Sequence, residues 1–76
     1  MELTNGILLP NNKTVMKKIN SIIDKYNLSI SYDRKNEKIF RNEQIFLLVT
    51  KKYILLRLVS ENSFLQKDLV KMLSEG

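Results

Sequence analysis

Ile45-Phe46-Leu47-Leu48-Val49-Thr50-Lys51-Lys52-Tyr53-Ile54-Leu55-Leu56-Arg57-Leu58-Val59 holds two nearly continuous apolar runs separated by a short polar break. The runs are too short for good helices and carry β-branched and aromatic residues, so they read as two strands joined by a tight turn at Thr50-Lys51-Lys52. Alternation sends Ile45, Leu47 and Val49 to one face of the first strand and Phe46 and Leu48 to the other. Both faces are apolar and both call for cover. Helices elsewhere in the chain can cover one side; the other side needs something else, such as a partner subunit.

Downstream, Ser60-Glu61-Asn62-Ser63 is a run of capping residues, and with Ser63 as cap Gln66 stands where a capping box is completed. The spacing predicts a helix over residues 62 to 74, with Phe64, Leu65, Leu69, Met72 and Leu73 as its buried stripe and Gly76 closing it. Upstream, Leu28-Ser29-Ile30-Ser31-Tyr32-Asp33 alternates strictly and reads as a half-buried strand with Leu28, Ile30 and Tyr32 on one side. A charged loop, Asp33 to Glu37, leads to a short strand at Lys38-Ile39-Phe40-Arg41, and Asn42-Glu43 turns into the central hairpin.

Nearer the start, Val15, Met16, Ile19, Ile22, Ile23 and Tyr26 recur at steps of one, three and four, the pattern of an amphipathic helix over residues 12 to 26. Asn11 or Asn12 caps it and Asn27 ends it. Residues 1 to 10, with Leu3, Ile7, Leu8 and Leu9 around Asn5-Gly6 and a closing Pro10, form either an edge strand or an arm that packs on a partner. The expected architecture is α+β: one domain over residues 1 to 76, an antiparallel sheet of three or four strands packed by two helices. The order is (β)-α-β-(β)-β-β-α, the bracketed strands being optional.

A chain of 76 residues buries only about 60% of the surface its unfolded form exposes, so self-association would help it. The absence of cysteine and histidine removes disulfides, thiolate sites and the commonest metal ligand and general base, so neither a metal nor a cofactor is expected. Lys51 and Lys52 interrupt the longest apolar stretch well short of a membrane span, and no charged leader precedes an apolar core, so the expected location is the cytoplasm. With glycine only at Gly6 and Gly76 there is no phosphate-cradling loop. A carboxylate–lysine nuclease site would pair Asp33 with an acid on the next strand, and none stands there. The chain is expected not to be an enzyme.

Thirteen Lys and Arg against eight Asp and Glu, a formal charge of +5, favour an acidic partner. Lys13, Lys17 and Lys18 open the first helix, where cations work against the macrodipole. Arg34, Lys35, Lys38 and Arg41 fall within eight residues, bracketed by Tyr32 and Phe40, an interleaving of charge and aromatic rings that suits a phosphate backbone or a single strand. These seven cations are the candidate binding residues; a solvated lysine face and a charged hairpin tip are the plain alternatives.

The order helix, three strands, helix is similar to that of the double-stranded RNA-binding domain. That family carries a glycine, proline and histidine loop and a lysine-rich start to its last helix. This chain has no histidine and only Lys67 and Lys71 in the last helix, so no residue is carried over, and shared order alone does not set function. The expected function is non-catalytic binding by a small accessory or regulatory protein of phage or mobile-element type, acting on nucleic acid or a nucleic-acid-handling protein. Its rival is a self-associating interaction module, a homodimer in the simplest case, with incidental charge.

Overall fold

A computed structural model of the chain describes residues 3–75. Met1, Glu2 and Gly76 lie outside the described residues, and with them the expected closure of the last helix by Gly76. After a short 3-10 turn at Leu3–Asn5 come β1 (Ile7–Pro10), α1 (Lys13–Lys25), β2 (Ser29–Arg34), β3 (Glu37–Arg41), β4 (Ile45–Thr50), β5 (Tyr53–Leu58) and α2 (Ser63–Ser74). The fold is α+β, with five strands rather than three or four, in the spatial order β1-β5-β4-β3-β2 and every neighbour antiparallel. The order also departs from the double-stranded RNA-binding domain, because two further strands join the sheet.

The leading segment is an edge strand, with Ile7 opposite Leu56 and Leu9 opposite Ile54. Gly6 makes this possible: its φ of 81° is a left-handed conformation, and a Cβ there would stand 3.2 Å from the Leu55 side chain. Pro10, which has no amide to donate, ends β1 at the rim of the sheet, where a proline does least harm.

Both helices pack on one face. Ile19 and Ile22 of α1 and Leu65 and Leu69 of α2 share a buried cluster with Ile45, Leu47, Ile54, Leu56 and Leu58, and Leu3 completes it. Removing these side chains from water is the main force holding so small a domain together. Asn12 caps α1, its side chain accepting from the Val15 amide at 2.9 Å. Asn11 reaches instead to the Thr50 carbonyl at 2.6 Å, tying β1 to the β4–β5 turn. Asn27, at φ 52°, turns the chain out of α1, and Asn42 builds the turn into β4 by accepting from the amides of Gln44 and Ile45.

Several expectations are corrected. Asn62, not Ser63, caps α2, accepting from the Leu65 amide at 3.1 Å, and Gln66 is thereby freed to accept from the Leu3 amide at 3.2 Å. Phe64 is 87% exposed and stands outside the buried stripe, because at 3.6 residues per turn it lies about 100° around the helix from Leu65, the side chain that starts the stripe continued by Leu69. The β4–β5 turn proper is Lys51-Lys52; Thr50 belongs to β4, and its hydroxyl donates to the Tyr53 carbonyl and accepts from the Tyr53 amide. Finally, β2 is exposed along its whole length rather than half-buried. It is the other edge strand, and a bulge between Ile30 and Tyr32 breaks its alternation. Ile30 pairs with Phe40 and Tyr32 with Ile39, so the two point to opposite faces instead of sharing one.

Among the described residues no helix is long and apolar enough to cross a membrane.

Candidate functional site

The face of the sheet turned away from the helices carries three rows of side chains, set by the strand register. The middle row crosses all five strands as Leu8, Leu55, Leu48, Ile39 and Tyr32. At about 4.8 Å between strands it is about 19 Å long. None of these five side chains packs on the buried cluster, which takes Leu9, Val49 and Phe40 from the neighbouring positions. Leu8 is 68% exposed and Tyr32 40%. Among the described residues no element covers this face.

On one side of that band, Arg57, Phe46, Arg41 and Ser29 stand opposite one another on β5, β4, β3 and β2. On the other side lie Tyr53 beside Pro10, and Glu37 between Thr50 and Arg34. All three arginines of the chain are therefore on the uncovered face. Two of them lie over aromatic rings of the same face: the Arg57 guanidinium is 5.4 Å from the centre of Phe46, and that of Arg34 is 5.6 Å from the centre of Tyr32. Stacking of this kind pre-orders the guanidinium fork while leaving its N–H groups outward. Lys35, in the two-residue β2–β3 turn, and Lys51, in the β4–β5 turn, converge at one end of the sheet around a shallow depression of about 150 Å³.

The candidate cations are thus sorted into separate places. Arg34 and Arg41 belong to the uncovered face, and Lys35 to its rim. Lys38 stands opposite Val49 on the helix side and lies 4.0 Å from the Asp33 carboxylate, an exposed pair of small energetic weight. Lys13, Lys17 and Lys18 are in the helix layer, on the far side of the sheet from the arginines, where they line a groove of about 520 Å³ with Thr14, Ser21, Met72 and Glu75. Lys18 is half-buried and donates to the main-chain carbonyl of Leu73 at 2.9 Å, holding the end of α2 against α1. It acts first as a clamp between helices.

Arg57 is the residue that sequence reasoning missed. Its signal was available, since a lone arginine alternating with Ile54, Leu56 and Leu58 marks the side of β5 that faces away from the core.

Between the helices, Tyr26 donates its phenol to the Asp68 carboxylate, which also accepts from Lys25 at 2.7 Å. Burial, then the hydrogen bond to the carboxylate and its charge, push the Tyr26 phenol up to about 12. The hydrogen bonds from Lys25 and then Tyr26 hold Asp68 below its ordinary value. The group sits in the helix layer and serves packing. No cluster of acidic side chains able to hold a metal ion occurs among the described residues. Comparison with protein-family models, with curated proteins and with solved structures gives no match.

Proposed function

We propose that the protein is a non-catalytic nucleic-acid-binding protein of accessory or regulatory type, and that the uncovered sheet face is its binding surface. The observation that carries this reading is the placement of Arg34, Arg41 and Arg57 on that one face, two of them stacked on aromatic rings, against a single carboxylate among the described residues, Glu37. A surface so charged attracts polyanions, and binding by phosphate neutralisation weakens steeply as salt rises. The test is an affinity series over salt concentration with a labelled oligonucleotide. Arg41→Gln and Arg57→Gln should each flatten the slope of log affinity against log salt by about one, while Lys13→Gln, on the opposite side, leaves it unchanged. No binding of any DNA or RNA at low salt overturns the reading.

A second reading is supported by the middle row, where Leu8, Leu55, Leu48 and Ile39 form an apolar band of the kind that protein interfaces bury. Here the face meets a second copy of the chain. Light scattering at high micromolar concentration separates the two: this reading requires a mass above that of a monomer, insensitive to salt.

A further inference from the structure

Resting on the nucleic-acid reading, we infer that the ligand is a single strand, whose bases lie against Tyr32, Phe46 and Tyr53 while its phosphates meet Arg34, Arg41 and Arg57. Three features of the face select a single strand over a duplex. First, two rings on different strands are open to solvent, Tyr32 at 40% and Tyr53 at 41% exposure, and a third, Phe46, lies half-buried on the same face. A ring in the open contributes to binding through its π face, and a duplex keeps the faces of its bases stacked inside. Second, the apolar band spans about 19 Å across the strands, wider than a major groove of about 12 Å, so the sheet cannot enter the groove to read base edges. The helices, which could enter one, are on the other side of the molecule. Third, each of the pairs Arg34–Tyr32 and Arg57–Phe46 joins a cation to a ring within one base-to-phosphate reach.

Charge decides against a second copy as the occupant. Two such faces brought together would set three arginines of each protomer against three of the other, with Glu37 as the only carboxylate on each face among the described residues. A polyanion meets the same arginines with complementary charge, and the apolar band supplies a sequence-tolerant floor for its bases. Lys35 and Lys51 at the rim extend the positive track where a strand would leave the sheet. Stacking and phosphate contact ask nothing of base identity, so little sequence preference is expected.

The experiment titrates the whole chain with a short fluorescently labelled oligothymidylate and with duplex DNA of the same length, at the same low salt. The oligothymidylate is expected to bind at least about tenfold more tightly and to quench the protein's tyrosine emission. Tyr32→Leu and Tyr53→Leu, both at exposed positions, keep apolar bulk and remove the ring; each should weaken the oligothymidylate by about fivefold or more and leave the duplex unchanged. Phe46→Leu should do the same, with its melting temperature measured alongside because the ring is half-buried. Equal or tighter binding of the duplex, or no response to loss of the rings, overturns the single-strand inference while the nucleic-acid reading stands. Absence of binding by both probes removes the single-strand inference and, if RNA at the same low salt also fails to bind, the nucleic-acid reading with it, and a salt-insensitive dimer weakened by Tyr32→Leu would assign the face to a second copy.

Discussion

The ammonium of Lys18 on α1 donates to the carbonyl of Leu73, near the end of α2, at 2.9 Å. A lysine one position away, Lys17, lines the same groove and is exposed. Lys18→Met, which keeps the stem and removes the donor, is expected to cost about 1 kcal/mol, or roughly 4–8 °C for a domain of this size. Lys17→Met should leave the melting temperature where it is. Thermal melts of the two variants beside the parent check this, and equal behaviour would mean that the clamp does not hold in solution.

Alkaline stability should depend on Tyr26. Its folded pKa of about 12 lies above the ordinary 10.0, so the stability it contributes is complete below pH 10 and is lost as pH rises through 12. Asp68 acts in the opposite sense: its folded value is lowered, so its contribution is present above the ordinary 3.8 and is lost as pH falls through the lowered value. Urea midpoints measured from neutral pH upward should decline over the alkaline window in the parent. In Tyr26→Phe the part of that decline due to this phenol should vanish.

Ile19 and Leu69 are both fully buried, one from each helix. Truncation of either to Ala leaves a cavity under the sheet and should cost about 2–5 kcal/mol, comparable with the entire stability of a small domain. Chemical denaturation of Ile19→Ala and Leu69→Ala gives the value directly; a loss under about 1 kcal/mol would show that the helix face is wrongly assigned.

Phe64 and Leu65 are neighbours with opposite fates, 87% and 6% exposed. Phe64→Ala should change stability by no more than about 0.5 kcal/mol, whereas Leu65→Ala should destabilise by about 2 kcal/mol or more. Paired melting curves decide it.

Much of the architecture was legible because its signals are local. Helical periodicity in Val15 to Tyr26 and the two apolar runs of residues 45 to 59 depend only on which side of an element meets water, and that is written in the spacing. The two-sided greasiness of β4 likewise announced that the helices would cover one face and that the other would call for a different cover. What failed to show were features that need a partner distant in sequence. Gln66, expected to complete a capping box, instead accepts from the Leu3 amide, 63 positions away. The membership of β1 in the sheet turns on its pairing with β5.

For the candidate site the division is sharper. The sequence by itself determined the composition of the surface: an excess of positive charge, three arginines among the cations, no histidine or cysteine, and apolar residues on both sides of the central strand. It could not say which cations act together, because proximity along the chain is not proximity on a sheet. Lys38 and Arg41 are three residues apart and stand on opposite faces, while Arg41 and Arg57, sixteen apart, flank Phe46 in one row. Alternation with period two assigns faces within a strand, and only inter-strand register joins those faces into a surface. The bulge at Ser31 applied the same rule in reverse: one extra residue moved Tyr32 out of line with Ile30 and onto the uncovered side, beside Arg34.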